Sequence, residues 1–336
     1  MTLAQEVFRR LADGELHSGE ALAAAAGVTR SAVWKAISQL RELGLAIEAQ
    51  TNRGYRLVKP SEPFDAAVIR DGLTKEIGSL VEVRVYWETS STNVTLLAEP
   101  PVTPGAFVVL LAENQTGGRG RRGRAWRAAL GDSLCVSIAT SFEPLPRDLP
   151  ALTLAIGACV RTALEDCGAR ELALKWPNDL VVRDLEHGKD LRKLGGILVE
   201  LRAEAGGPGY VVVGIGLNLR LGDEAREAIS AIGTVAGDLE SIGVDAAARN
   251  RLATVLIEHC VRGLQQFGRE GFSPFITAWR KADVLQGSAV RVSDGSGERE
   301  GVARGIDAQG ALQLELADGR CLSIIGGEVT VRRRGA

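Results

Sequence analysis

The sequence of 336 residues predicts an α+β protein built from three successive units. Residues 1–62 carry apolar side chains at helical spacing. Residues 65–283 alternate strand-like and helix-like segments, and consecutive strands adjoin one another as often as a helix separates them. Residues 285–333 contain five short strands between glycine turns. We therefore expect an N-terminal helical domain, a central mixed-sheet α/β domain and a small C-terminal β-barrel.

The first unit is predicted to contain three helices followed by a β-hairpin. Apolar residues recur every three or four positions over residues 3–11, and Ser18 is placed to cap a second, alanine-rich helix. A third helix begins at Arg30, and two short strands flank the turn Asn52-Arg53-Gly54. This order is that of a winged helix-turn-helix, whose third helix enters the major groove of DNA.

Polar side chains of the third helix and of the hairpin are suited to phosphates and base edges. Residues 1–60 hold eight basic and six acidic side chains, an excess of two, so such a unit needs dimerisation to hold an operator. The alternative is a small helical domain that packs against another protein. The predicted DNA-binding residues are Arg30, Ser31, Lys35 and Arg53, with Ser38, Gln39, Arg41 and Arg56 as further outward-facing positions.

Composition and charge exclude several classes of protein. With 45% hydrophobic and 24% charged residues the chain is neither disordered nor collagen-like, and a net charge of -2 gives no overall attraction to nucleic acid or anionic membrane. The longest apolar run, residues 106–112, is far shorter than the roughly 20 residues of a membrane span, and no signal peptide is evident, so we expect a soluble cytoplasmic protein. The five dispersed cysteines are expected to be buried free thiols.

The segment Gly117–Trp126 contains four arginines and four glycines in ten residues. Although it includes G-x-G-x-x-G, no helix pattern follows it, so we discard a dinucleotide-binding fold. A glycine backbone that carries guanidinium groups is suited to wrap a phosphate chain or a carboxylate, and Trp126 could stack on a purine or close a lid. The alternative is a solvated basic loop or an RNA-binding segment.

A second motif, Lys175-Trp176-Pro177-Asn178-Asp179, places a lysine at the end of an apolar strand. The chain has only 7 lysines against 33 arginines, so a compact point charge is expected to matter there, as a clamp on phosphoryl or carboxylate oxygens. The alternative is a strand-end lysine that reaches solvent. The cluster Ser90-Ser91-Thr92-Asn93 could bind a polar, uncharged group or simply cap a helix. Glycine-rich strands at residues 193–197 and 214–218 would let a ligand lie close to the sheet.

Several familiar sites do not occur in the sequence. There is no Gly-rich Gly-Lys-Ser/Thr loop and no Gly-x-Ser-x-Gly elbow, and the three histidines lie in unrelated segments. A P-loop ATPase, an α/β-hydrolase and a histidine metal triad are therefore excluded.

The motifs together resemble those of biotin protein ligases. Their order matches over nearly the whole chain, and with the N-terminal unit the sequence is similar to the bifunctional biotin protein ligase and biotin-operon repressor of bacteria. The resemblance implies a central domain of the biotin/lipoate ligase type and an SH3-like C-terminal barrel. The matching segments are Ser91-Thr92-Asn93, Gln115 with Gly118–Arg124, Lys175–Asp179, Lys193–Glu200 and Gly214–Asn218.

The resemblance also implies a two-step reaction. The carboxylate of biotin attacks the α-phosphate of ATP, assisted by Mg²⁺, to give biotinyl-5′-adenylate and pyrophosphate. The ε-amine of a lysine on the biotin carboxyl carrier protein of acetyl-CoA carboxylase then attacks the mixed anhydride. Both steps build negative charge on oxygen, which cationic side chains stabilise. Operator DNA and a homodimer that forms when biotinyl-5′-adenylate is bound are the further implied partners.

Carried over by position, the resemblance implies specific roles for the motif residues. The catalytic residues would be Lys175, Arg121 and Arg119. Biotin would be bound by Ser91, Thr92, Asn93, Gln115, Arg119, Gly120, Arg121 and Lys175. The nucleotide would be bound by Arg121, Arg124, Trp126, Lys175, Asn178 and Asn218, and Asp179 is the candidate Mg²⁺ ligand.

The sequence departs from the family pattern at two places: Ala125 stands where a basic residue is common, and residues 182–192 form a longer, more charged segment than expected. Two alternatives stay open. The chain could be a ligase whose N-terminal domain no longer represses, or a ligand-sensing transcription factor without catalysis. A lipoate protein ligase ranks well behind, because that family lacks the arginine loop.

Overall fold

A computed structural model describes residues 1–183, 191–203, 208–222, 226, 227, 229, 235–294 and 297–331. It confirms the predicted α+β fold class with a helix-turn-helix unit, a central mixed sheet and a C-terminal antiparallel sheet. The departure noted at residues 182–192 falls mostly on residues 184–190, which lie outside the described residues.

The N-terminal unit has the predicted order of three helices and a hairpin. Its elements are α1 (Leu3–Leu11), α2 (Gly19–Ala26), α3 (Arg30–Glu42), β1 (Ile47–Gln50) and β2 (Gly54–Leu57). Local chemistry sets the helix starts, because the side chains of Thr2, Ser18 and Thr29 each accept a backbone N–H at the beginning of a helix. The apolar faces of the helices bury one another around Phe8 and Ile37.

Two short helices, α4 (Ala66–Gly72) and α5 (Lys75–Gly78), were not predicted. They follow the segment between Pro60 and Pro63, which packs against the central domain. Ser61 is buried there and its Oγ donates to the carbonyl of Gly131 at 2.7 Å. The linker is therefore fixed in place by hydrogen bonds.

The central domain is a seven-stranded sheet in the order β3-β4-β5-β9-β8-β7-β6, in which only β3 and β4 are parallel. The strands are β3 (Val81–Thr89), β4 (Phe107–Gln115), β5 (Ser133–Phe142), β6 (Ala173–Lys175), β7 (Asp179–Arg183), β8 (Leu191–Ala203) and β9 (Gly209–Asn218). The helices are α6 (Thr92–Ala98), α7 (Leu152–Asp166), α8 (Arg249–Glu270) and α9 (Ile276–Ala282). Strand β7 and helix α6 were not predicted as such.

Strand β4 shows how the sheet is covered on both faces. Val109 and Leu111 belong to the large core beneath α7 and α8, whereas Val108 and Leu110 belong to a smaller cluster with Leu96 of α6. Successive side chains point to opposite faces of a strand, so the unbroken apolar run of β4 requires helices on both sides.

The C-terminal unit is a five-stranded antiparallel sheet in the order β13-β12-β11-β10-β14. Its strands are β10 (Ala289–Asp294), β11 (Gly297–Ile306), β12 (Leu312–Glu315), β13 (Cys321–Ile324) and β14 (Glu328–Val331). Trp176, 2% exposed, donates its Nε1–H to the carbonyl of Gly310 at 3.0 Å. This bond joins the C-terminal sheet to the central domain.

The cysteine prediction is only partly correct. All five thiols are free, and Cys135 and Cys260 are buried, but Cys159 and Cys167 are half-buried and Cys321 is exposed. Cys321 begins β13, an edge strand, at a position that faces outward. Burial raises the pKa of the Cys135 thiol to about 11, so this thiol stays protonated at neutral pH. Among the described helices, none is long and apolar enough to cross a membrane.

Candidate active site

A cleft lies where the start of α6, the end of β4, the glycine-arginine loop (Gly117–Trp126) and strands β8 and β9 meet. The open cavity has a volume of about 60 Å³, room for only a few water molecules. Eight predicted residues line it: Ser91, Thr92, Asn93, Gln115, Arg119, Gly120, Trp126 and Asn178.

The start of α6 provides a fixed polar wall. Gln115, the last residue of β4, accepts through Oε1 from the backbone N–H of Thr92 at 2.8 Å and from its hydroxyl at 3.1 Å. Ser91 occupies the N-cap position, yet its hydroxyl makes no capping hydrogen bond. The wall therefore presents the Ser91 hydroxyl, which makes no capping hydrogen bond, beside the Gln115 amide, whose orientation is fixed by Thr92.

Asn93 is held by two residues that had no predicted role, Ser137 and Glu200, the second of which ends the matching segment Lys193–Glu200. Ser137 Oγ on β5 lies 2.6 Å from Asn93 Oδ1, and Asn93 Nδ2 donates to a carboxylate oxygen of Glu200 at 2.8 Å. A Cβ on Gly214 would lie 2.2 Å from Asn93 Oδ1, so only glycine fits there. Ser137 and Glu200 are 44 and 107 residues from Asn93 in sequence, so local spacing could not predict their contacts with it.

The glycine-arginine loop forms a compact turn. The N–H of Trp126 donates to the carbonyl of Gly118 at 2.8 Å, and that of Gly120 to the carbonyl of Arg124 at 2.7 Å. Arg122 has a φ of 55°, in the left-handed region. The turn points Arg119 and Gly120 into the cleft.

The other two predicted loop arginines do not line the cleft. Arg121 is half-buried, with Nη1 3.3 Å from Asn178 Oδ1. Burial lowers its pKa, helped by the Arg122 charge. Arg124 is exposed and forms an ion pair of 2.5 Å with Glu328 of the C-terminal sheet.

Trp126 packs against Gly216 of β9. Its indole atoms come within 2.6 to 2.9 Å of the place where a Cβ on Gly216 would stand, so the absence of a side chain there creates the seat for the ring. The buried Nε1 has no hydrogen-bond partner among the described residues. The indole thus fills space beside the sheet that the sequence analysis had assigned to a ligand.

Two lysines approach the cleft, and the one that lines it was given no role in the sequence analysis. Lys193 lines the cavity and forms an ion pair of 2.6 Å with Asp179. Lys175 ends β6 as predicted but does not line the cavity, and burial lowers its pKa, with the Asp179 carboxylate opposing. Two features of the sequence could have pointed to Lys193 as a site residue: lysine is rare in this chain, and two glycines follow Lys193 closely.

Asn178 and Asn218 are both engaged with backbone. Asn178 Nδ2 donates to the carbonyl of Ile197 at 3.0 Å on the cavity wall. Asn218, buried and outside the wall, donates to the carbonyl of Gly237 at 3.0 Å.

A metal ion bound by protein side chains alone does not fit this site. Within the ranges that the structure describes, no group of three or more His, Cys, Asp or Glu side chains could hold one. Asp179 is a single carboxylate already paired with Lys193. Such a residue fits only an Mg²⁺ ion that arrives with the phosphates of a nucleotide.

The predicted DNA-binding residues all lie at the surface of the N-terminal unit. Arg30, Ser31, Lys35 and Arg53 are all exposed. Two further candidates, Arg41 and Arg56, already have partners within the protein. Arg41 donates to the carbonyl of Ile47, and Arg56 forms an ion pair of 2.7 Å with Glu48.

The chain matches three known sequence families in order. Residues 4–56 match an HTH domain, residues 89–218 the Biotin/lipoate A/B protein ligase family, and residues 286–332 the Biotin protein ligase C terminal domain. Among solved structures, biotin protein ligase from Aquifex aeolicus in complex with biotin and ATP has a TM-score of 0.61 and 25% identity, covering 75% of this chain and 99% of that one.

Curated relatives match along the full length. The chain is 35% identical over 331 residues to the bifunctional ligase/repressor BirA of Escherichia coli K12, covering 98% of each protein. It is 31% identical over 327 residues to the bifunctional ligase/repressor BirA of Bacillus subtilis, covering 94% of this chain and 93% of that protein. The resemblance seen in the motifs is thus confirmed, and the chain belongs to the family of bifunctional biotin protein ligases and repressors.

Proposed function

We propose that this protein is an ATP-dependent biotin protein ligase and a biotin-responsive transcriptional repressor. The observation that carries the proposal is the cleft itself. It joins a polar wall, a glycine-arginine loop and Lys193 in a chain related over its full length to bifunctional ligase/repressors. The proposed domains are residues 1–62 for DNA binding, 65–283 for catalysis and 285–333 for the SH3-like barrel.

Biotin is proposed to bind with its ureido ring against the wall of Ser91, Thr92, Asn93 and Gln115. The free hydroxyl of Ser91 and the amide of Gln115 suit a neutral donor-acceptor group. Because Asn93 already bonds Ser137 and Glu200, its role is to hold the wall in position. The apolar edge of the wall, Val136 and Ile215, faces the rest of the ligand.

The carboxylate end is proposed to meet Lys193 and Arg119, the two cations that line the cleft. In the first step a carboxylate oxygen bonds to the α-phosphorus of ATP and pyrophosphate leaves. In the second step the acceptor amine bonds to the acyl carbon, AMP leaves, and the amine loses a proton. Fixed cations stabilise the charge on phosphoryl and acyl oxygens in both steps. Lys175, Arg121 and Arg124 are proposed as outer contacts of the phosphates.

The nucleotide is proposed to bind between the loop and β9, with Trp126 stacked on the adenine and Asn178 and Asn218 nearby. This placement brings the adenine to the space beside Gly216 that the indole fills, so the indole is proposed to shift when the nucleotide binds. Mg²⁺ is proposed to enter with ATP, beside Asp179, where it would neutralise phosphate charge. Lys193 would then exchange its carboxylate partner for substrate oxygens.

The ligase activity is tested with the purified protein, biotin, MgATP and an apo biotin carboxyl carrier domain of acetyl-CoA carboxylase, by the mass of the carrier. We expect wild type to add one biotinyl group. Lys193→Ala should lower the rate by about 100-fold or more, as loss of a charge-stabilising group does. Lys281→Ala removes an exposed lysine at the end of α9 and serves as the matched control.

Release of pyrophosphate with biotin but without carrier isolates the first step. If wild type gave neither pyrophosphate nor biotinylated carrier, the ligase function would be wrong. The better interpretation would then be a ligand-sensing transcription factor without catalysis, whose glycine-arginine loop closes over a bound effector.

The repressor function is proposed to need a homodimer loaded with biotinyl-5′-adenylate. The outer edge of β8 from Val199 to Ala203 has no strand partner in the described part of the chain and is available to a second copy. Sedimentation with and without biotin and MgATP tests this proposal. A protein that stays monomeric in both conditions, and binds no operator when loaded, would be a ligase without repression.

A further inference from the structure

Trp34 of helix α3 is largely exposed to solvent. The five tryptophans all lie in described segments, and Trp34 alone is exposed, at 58% of its surface, whereas Trp176 and Trp279 are at most 2% exposed. Covering such an indole removes on the order of 100 Å² of apolar surface from water. The exposed ring is therefore available to a binding partner.

Helix α3 places Trp34 among the residues proposed to contact DNA. The core face of this helix is formed by Val33, Ala36, Ile37 and Leu40. Trp34 lies off that face, one helical turn from Arg30, Ser31 and Ser38. Ser38 Oγ donates to the backbone carbonyl of Trp34 at 3.1 Å, so this serine is satisfied within the helix.

The N-terminal unit carries exposed cationic side chains that would attract a polyanion such as DNA. Arg30, Lys35 and Arg53 are exposed and form no ion pair with any carboxylate in the described ranges. Arg41 and Arg56 are held by the hairpin, because Arg41 donates to the carbonyl of Ile47 and Arg56 to the carboxylate of Glu48. Helix α3 therefore presents two uncompensated cations, Arg30 and Lys35, together with one apolar ring, and the turn between β1 and β2 carries a third cation, Arg53.

We propose that Trp34 is a sequence-reading residue, whose indole packs on the 5-methyl group of a thymine in the major groove of the operator. This inference rests on the proposed repressor function. The thymine methyl is the apolar group that a base pair shows in the major groove, and an apolar side chain recognises it by contact. Arg30, Lys35 and Arg53 would hold phosphates and fix the register.

The test begins with the full-length protein, biotin and MgATP, which select tight binders from a pool of random-sequence DNA duplexes. Affinities for the selected duplex and for an unselected duplex are then measured by fluorescence anisotropy. Trp34→Ala should weaken binding to the selected duplex by about 5- to 100-fold, the usual effect of one lost base contact. Binding to the unselected duplex should change by less than about twofold.

Lys35→Ala provides the contrasting variant. It should weaken binding to both duplexes and lower the salt dependence of log K by about one phosphate contact, whereas Trp34→Ala leaves the salt slope unchanged. Carrier biotinylation by Trp34→Ala at the wild-type rate shows that the variant is folded.

Replacement of single thymines by deoxyuridine identifies the methyl group. Wild type should lose affinity at one position in each half-site, and Trp34→Ala should lose nothing further there.

If wild type selects a sequence but Trp34→Ala binds it equally well, the inference about Trp34 is wrong while repression stands. If Trp34→Ala instead prevents dimerisation or carrier biotinylation, Trp34 is a protein contact. Failure of wild type to select any sequence would overturn both proposals.

Discussion

Arg249 Nη1 donates to Glu113 Oε2 at 2.8 Å, and the two side chains are 0% and 3% exposed. Glu113 Oε1 accepts from the backbone N–H of Phe64, and Arg249 donates to the carbonyls of Glu62 and Ser133. The guanidinium also lies 3.8 Å from the centre of the Phe64 ring. One buried ion pair thus fixes the linker from the DNA-binding unit to β4, the strand that ends at the cleft.

Glu113→Gln should destabilise the protein by about 3 to 5 kcal/mol, because it leaves the Arg249 charge buried without a counter-ion. Urea unfolding measures the change. Asp71→Asn removes an exposed pair with Arg70 and should cost less than about 1 kcal/mol. If both variants cost the same small amount, the buried pair does not stabilise the linker.

Leu130 belongs to the central domain in sequence but to the hydrophobic core of the N-terminal unit in space, where it is fully buried. Leu130→Ala should cost about 2 to 5 kcal/mol, as other buried leucines do. Val58→Ala, at 59% exposure, is the control and should have little effect. Differential scanning calorimetry should show the loss. A thermal transition unchanged by Leu130→Ala would mean that the two units do not share a core.

Gly214→Ala should abolish high-affinity biotin binding, because its Cβ would lie 2.2 Å from Asn93 Oδ1 and displace the polar wall. Isothermal titration with biotin measures the effect. Gly222→Ala, which meets nothing within 4 Å and has no positive φ, is the matched control. Equal affinity of both variants would remove Asn93 from the proposed biotin site.

The buried carboxyl group of Asp283 should make the stability of the protein depend on pH. Burial raises the pKa of its carboxyl, and Oδ2 has no hydrogen-bond partner among the described residues. Below pH 3.8, the ordinary value, the group is neutral in both folded and unfolded states. As pH rises through the interval up to the raised pKa, the folded state keeps the proton longer, so its stability relative to the unfolded state falls.

Asp283→Asn should therefore stabilise the protein at pH 7, and this gain should shrink as the pH falls toward 3.8. Urea midpoints of both proteins across that range measure it. A gain that is constant with pH would show that ionisation of Asp283 is not its cause.

Most elements could be predicted from local patterns. The cap at Ser18, the spacing of residues 3–11 and the apolar run of β4 are short-range signals, and the structure contains the corresponding elements. The helices α4, α5 and α6 and the strand β7 were not predicted, and each spans only four to seven residues, which leaves few periods of hydrophobicity to recognise.

The cleft could be predicted only in part. Among the residues that line one cavity, the motifs supply Ser91, Thr92, Asn93, Gln115, Arg119, Gly120 and Trp126. Of the two lysines, the sequence analysis assigned the site role to Lys175 and none to Lys193. Only the register of β7 against β8 brings Lys193 to the cavity and pairs it with Asp179.

By itself the sequence determined the fold class, the order of the three units and the family, because periodicity, capping and motif order are properties of neighbouring residues. Tertiary structure alone decided which lysine faces the cleft, that Trp126 fills the space beside Gly216, and that Leu130 completes the core of another unit. Those contacts join residues far apart in the chain, and their energies depend on close packing that no local spacing encodes.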